Sequence, residues 1–142
     1  MVPRYIVIHH SATEAAITFD MIRQNHLERG WDDIGYHYVI DQEGSIFTGR
    51  AEDVIGAHAL GLNKESLGIC CIGNFEEETP QDKQLNVLIK IVQQLAEKYQ
   101  ISREKIIGHR DVTSEARENK RSKCPGENLY LLLDKIRSGV KA

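Results

Sequence analysis

The sequence predicts an α/β protein, one domain over residues 1–142, with a mixed central β-sheet and helices packed on its faces. Short apolar, β-branched runs recur along the chain, and capped or amphipathic helical patterns fall between them. The length of 142 residues suits one ordinary domain. Its 41% hydrophobic and 27% charged residues match the averages of soluble globular proteins.

The elements follow in order. Residues 4–10 are β-branched and aromatic without clean alternation, as in a strand covered on both faces. From Thr18 to Arg29 the spacing of Phe19, Ile22, His26 and Leu27 is helical, with Thr18 as N-cap and Gly30 as the stop. Residues 34–41 read as a second strand, Asp41-Gln42-Glu43-Gly44 as a turn, and residues 45–48 as a third strand closing a hairpin. The next stretch lacks periodicity, and residues 67–73 form another buried strand. Thr79-Pro80-Gln81-Asp82 has the features of a helix start, with Thr79 as N-cap and Pro80 at the first helical position. Leu85, Leu88, Ile89, Val92, Leu95, Ala96 and Tyr99 then mark one core-facing stripe. Residues 105–108 form a short strand presenting His109 at its end, and Leu129, Leu132, Leu133 and Ile136 mark a last helix just beyond Cys124-Pro125-Gly126.

Composition excludes several partners. A net charge of −3 argues against nucleic acid, whose binders concentrate Lys and Arg on one face. The one basic cluster, Arg117 to Lys123, is interrupted by Glu118 and Asn119 and reads as a solvated loop. No span approaches the ~20 apolar residues of a membrane helix, so no membrane insertion is expected. Met1-Val2-Pro3-Arg4 runs straight into the first strand without a signal-peptide pattern, which predicts synthesis in the cytoplasm. The adjacent Cys70 and Cys71 lie in an apolar run and read as small buried residues of a reduced protein. Cys124 stands apart, in a polar loop where a thiolate can reach a metal.

The chemistry concentrates in three contexts. Histidines end two strand-like runs, His9-His10 after Ile6-Val7-Ile8 and His109 after Ile106-Ile107-Gly108, and Cys124 follows Lys123. Two imidazoles and a thiolate are a donor set of catalytic zinc, which leaves a fourth position open for water. Because His9 and His10 are consecutive in a strand, they point to opposite faces, and only one of them can serve a shared ion. Periodicity leaves open which.

Five motifs occur in order: Ile6-Val7-Ile8-His9-His10-Ser11-Ala12-Thr13; Ile34-Gly35-Tyr36-His37-Tyr38-Val39-Ile40; Gly56-Ala57-His58-Ala59 continuing to Asn63; Ser66-Leu67-Gly68-Ile69 through Gly73-Asn74-Phe75; and Gly108-His109-Arg110-Asp111 with Cys124-Pro125-Gly126. In these, from Tyr5 to about Ile136, the chain resembles the zinc-dependent type 2 N-acetylmuramoyl-L-alanine amidases, a family that includes phage lysozyme-like amidases and peptidoglycan recognition proteins.

The resemblance implies a Zn²⁺ cofactor on His9, His109 and Cys124, with His10 a neighbour. It implies that Tyr36 is catalytic, its phenol meeting the attacking water or the oxyanion, while His37 faces away and is structural. The family often has Lys or Thr two positions before the third ligand. Here that slot is Ser122, with Lys123 one residue closer, so both are candidate oxyanion stabilisers. His58 and Asn63 are the implied substrate contacts, and Trp31 either lines the cleft or caps the first helix. The implied reaction is hydrolysis of the amide between the lactyl group of N-acetylmuramic acid and L-alanine, on peptidoglycan or a muropeptide. The expected setting is a phage or prophage endolysin that reaches the cell wall after release, with a monomer favoured. The alternatives are a non-catalytic peptidoglycan-recognition module, whose relatives have lost the thiolate, and a cytosolic muropeptide-recycling amidase, whose relatives use Asp as the third ligand. Cys124 weighs against both.

Overall fold

The computed structural model describes residues 1–14, 16–112 and 122–141. In chain order the elements are β1 (Tyr5–His10), α1 (Phe19–Glu28), β2 (Tyr38–Ile40), β3 (Ile46–Thr48), β4 (Ser66–Cys71), α2 (Asp82–Tyr99), β5 (Ile106–Gly108), α3 (Glu127–Tyr130) and α4 (Leu133–Arg137). The strands form one mixed sheet in the order β3-β2-β4-β1-β5. β1 lies between β4 and β5 and is parallel to both; β2 is parallel to β4, and β3 closes the edge as the antiparallel arm of a hairpin. The unalternating apolar runs of β1 and β4 thus occupy the middle of the sheet, where both faces are covered.

The two faces have different covers. Ile6 and Ile8 of β1 and Leu67 and Ile69 of β4 share a core with Leu85, Leu88, Val92 and Leu95 of α2 and with Leu133 and Ile136 of α4. On the other face Val7 packs with Ala59 and Val112, and Val39 and Cys70 pack with Ile22 of α1 and Ile34. The period of two along β1 sends His9 to the face of Val7, away from α2, and His10 to the face of Ile8.

α1 begins as expected, with Thr18 Oγ1 accepting from the Met21 amide at 3.2 Å, and ends before Gly30, whose φ of +88° carries the chain out of the helix. α2 starts later than its sequence suggests. Gln81, not Thr79, is the N-cap and makes no side-chain capping bond. A cap contributes about 1 kcal/mol, whereas each fully buried aliphatic side chain contributes roughly 1.5–3 kcal/mol, so the stripe of Leu85, Leu88, Val92 and Leu95 decides where this helix lies. Gln84 adds a tie that the stripe does not reveal: its Nε2 donates to Ile40 O at 2.9 Å and to Ile72 O at 3.1 Å, joining α2 to two neighbouring strand ends.

Two further expectations are corrected. The strand expected over residues 34–41 is a ladder only over Tyr38–Ile40, because the preceding residues bond to the loop that follows β3: the Ala57 amide donates to Gly35 O and the Arg50 amide to Tyr36 O, each at 3.0 Å. The last helix is two short ones. The break frees the Tyr130 hydroxyl to donate to Asp111 Oδ1 at 2.7 Å while Leu133 and Ile136 enter the core. Cys70 and Cys71 are buried free thiols, as expected.

Candidate metal centre

β1 and β5 are adjacent and parallel, with Ile8 level with Gly108, so their carboxyl ends open at the same place. His9 projects there from β1. His109 follows β5 in a tight turn over residues 109–111, fixed where Asp111 Oδ2 accepts from the Gly108 amide at 3.0 Å. Cys124 is brought alongside by backbone bonding: its carbonyl accepts from the Arg110 amide at 2.8 Å, and its own amide donates to Ser122 Oγ at 3.0 Å.

The ligand atoms of His9, His109 and Cys124 all lie within 4.8 Å of one another. Cys124 Sγ is 3.6 Å from His9 Nδ1 and accepts from the His10 amide at 3.3 Å. With Zn–N near 2.0–2.1 Å and Zn–S near 2.3 Å, tetrahedral angles place N and S donors roughly 3.6 Å apart. The His9–Cys124 pair has that spacing, and His109 lies within 4.8 Å of both, so the donor types and their closeness fit a site that could hold a divalent ion.

The rest of the His9 ring is engaged as a metal ligand's should be. Its Nε2 lies 2.9 Å from Nδ1 of His58. His58 Nε2 lies 3.2 Å from Ser66 Oγ, which donates to Leu62 O at 2.7 Å. One set of tautomers satisfies the whole chain: Ser66 gives its proton to Leu62, His58 Nε2–H donates to Ser66, and His9 Nε2–H donates to His58 Nδ1. His9 Nδ1 is then an unprotonated lone pair facing Cys124. Burial first, and then the neighbouring His37, hold the His58 pKa down to about 3, so its ring is the neutral acceptor this arrangement requires. His58 fits only because residue 68 is glycine: a Cβ there would stand 2.5 Å from the His58 ring.

The other candidates are distributed as follows. Tyr36 faces the same cleft, its ring 5.1 Å from that of His9. Burial first, then Cys70, which also hydrogen-bonds the phenol, and Cys124 raise its pKa well above the usual phenol range, so the phenol stays protonated. Ser122 and Lys123 also line the cleft, and the oxygen of Ser122 accepts from the Cys124 amide. The rest of the basic cluster that begins at Arg117 lies outside the described residues. His58 and Asn63 are on the cleft wall, but the Asn63 Oδ1 accepts from the His58 and Ala59 amides, each at 2.8 Å, and so shapes the loop itself.

His10 and His37 point elsewhere. His10 Nδ1 accepts from the Phe75 amide at 3.1 Å; His37 Nδ1 accepts from the Gly68 amide at 3.0 Å and its Nε2–H donates to Val54 O at 2.7 Å. Trp31 lines the cleft, as do two α1 residues that the sequence did not single out for the site, His26 and Arg29. The signal for His26 was its place on the apolar stripe of α1, where a histidine must find a buried partner; here its Nδ1 accepts from the Gly35 amide at 2.9 Å.

The mixed five-stranded sheet with its covering helices is the fold of solved N-acetylmuramoyl-L-alanine amidases. Residues 1–127 match the N-acetylmuramoyl-L-alanine amidase family, and the chain belongs to it. Among its relatives, the endolysin of Enterobacteria phage K11 is 35% identical over 131 residues, covering 86% of this chain and 80% of the phage protein. Peptidoglycan-recognition protein LB of Drosophila melanogaster is 35% identical over 136 residues, covering 89% of this chain; the chain spans 56% of that protein's length. Among solved structures, N-acetylmuramoyl-L-alanine amidase LysC from Clostridium intestinale URNW superimposes with a TM-score of 0.85 at 35% identity, covering 97% of this chain and 85% of LysC.

Proposed function

We propose that this chain is a zinc-dependent N-acetylmuramoyl-L-alanine amidase, one domain over residues 1–142, that hydrolyses the amide between the lactyl group of N-acetylmuramic acid and L-alanine in peptidoglycan. The observation that carries this reading is the convergence of His9, His109 and Cys124 within 4.8 Å on a cleft that also presents Tyr36. His9, His109 and Cys124 would hold the zinc, which would supply a water of pKa near neutrality and polarisation of a carbonyl oxygen. The chain's own residues supply the rest. His58 holds His9 in the coordinating tautomer, and the neutral phenol of Tyr36 donates to the oxygen of the scissile carbonyl as charge develops on it. The Ser122 hydroxyl, or the Lys123 ammonium, is placed to give a second donor. A positioned donor of this kind contributes roughly 2.7–4 kcal/mol to the transition state.

The endolysin relatives support a phage or prophage setting, in which the protein acts on the cell wall after release. Among the described residues no helix is long and apolar enough to cross a membrane. Recognition without hydrolysis, the alternative suggested by the insect relatives, is disfavoured by the thiolate ligand retained at Cys124. The test is mass spectrometry of digested peptidoglycan. The expected products carry free L-alanine amino termini; new reducing sugar ends would assign a glycosidase instead.

A further inference from the structure

The cleft beside the His9–His109–Cys124 cluster encloses about 660 Å³, and no Asp or Glu is among the described residues that line it. The chain carries 21 acidic residues against 18 Lys and Arg, so this exclusion is local. Cations and histidines set the field inside the cleft, which favours an anionic ligand. Among the described residues its two formal cations are Arg29 and Lys123. Lys123 adjoins Cys124 and belongs with the metal centre. Arg29 has no such assignment.

Arg29 is exposed at the C-cap of α1, with its guanidinium beside Trp31. Its amide caps α1 by donating to His26 O at 3.1 Å, and Gly30 then turns the chain so that Trp31 comes under the guanidinium, whose carbon is 5.4 Å from the centre of the indole. Trp31 is fixed in turn by the edge of His26, with ring centres 4.8 Å apart, and by Gly35, where a Cβ would approach the indole to 3.1 Å. Arg23 on the same helix pairs with Asp33 at 2.8 Å, and Arg110 pairs with Glu127 at 2.7 Å. No ion pair among the described residues involves Arg29. A planar fork of donors over an aromatic ring, with no carboxylate partner among the described residues, is suited to take a carboxylate from a ligand.

We propose that Arg29, seated on Trp31, binds a carboxylate of the substrate peptide, the α-carboxylate of the residue after L-alanine, and so selects stem peptides in which that group is free over those in which it is amidated. The inference rests on the amidase reading. N-acetylated sugars are uncharged, so the anionic charge of such a substrate lies on its peptide, and this carboxylate is the first one beyond the scissile amide.

The experiment compares two soluble muramyl dipeptides that differ only in this group, the free acid and the amide, with the zinc-loaded protein. The wild type is expected to cleave the acid with kcat/KM about tenfold higher, the difference lying in KM. Arg29→Gln should raise KM for the acid about tenfold more than KM for the amide and so abolish the preference; Arg29→Lys should restore part of it. Equal handling of both substrates by the wild type, or an equal loss on both in Arg29→Gln, would overturn the proposal. Trp31 is the chain's one tryptophan, so its fluorescence reports binding separately from turnover. Cleavage of neither dipeptide, with fluorescence responding to the acid and not the amide, would remove the amidase reading and keep the carboxylate site. Neither cleavage nor response would overturn both.

Discussion

His9 Nε2 lies 2.9 Å from His58 Nδ1, and this contact determines which nitrogen of His9 faces Cys124. Partners of this kind orient a ligating imidazole, and losing one typically costs 10–100-fold in metal affinity. His58→Ala should therefore weaken zinc binding by about that factor while leaving all three ligands in place. A competitive zinc titration checks it, and an unchanged affinity would reduce His58 to packing.

Gly68 should act through the same contact. An alanine Cβ would stand 2.5 Å from the His58 ring and push it away from His9. Gly68→Ala should lower zinc affinity in the wild type but have little further effect in the His58→Ala background, because residues that act through one contact are not additive. Independent, additive losses would show that Gly68 matters for another reason.

Tyr36→Phe removes a hydroxyl without emptying the space beside His9. Turnover should fall by about 10²–10³, the loss seen when one oxyanion donor is deleted, with the zinc content unchanged. Metal analysis and single-turnover rates on the same preparation separate these. Full activity would make the phenol a packing group.

Glu52 gives a pH prediction away from the metal. Burial raises its pKa, but hydrogen bonds from Lys98, Tyr38 and Tyr99 outweigh burial and bring it down from 4.5 to about 2. A carboxylate depressed by folding stabilises fully above its unfolded pKa and loses that contribution as pH falls through the folded value. Its contribution is on the order of 3 kcal/mol, since each pKa unit is about 1.4 kcal/mol. Urea unfolding should show Glu52→Gln less stable than wild type near pH 6, with the gap closing between pH 4.5 and 2. A gap independent of pH would contradict the assignment.

What was legible in the sequence follows the periodic signals. The buried runs ending at His9 and His109, the α2 stripe and the Thr18–Gly30 limits of α1 all appear where local pattern places them. The convergence of His9 with His109 needs the parallel register of Ile8 with Gly108, a long-range property that no local pattern encodes. Motif resemblance, not periodicity, separated His9 from His10. The His58–His9 contact was not legible, because His58 lies in an aperiodic loop whose shape depends on Asn63 and on the absence of a side chain at Gly68. Thr79 looked like the better cap, but burial of the α2 stripe outweighed it.

The most direct test of the metal centre is zinc stoichiometry in the purified wild type and in Cys124→Ser. The wild type should hold about one zinc per chain, and the variant should lose it together with hydrolysis while keeping its secondary structure. Zinc retained at full stoichiometry without the thiolate, or a metal-free wild type that hydrolyses peptidoglycan at the normal rate, would contradict the shared His9–His109–Cys124 site.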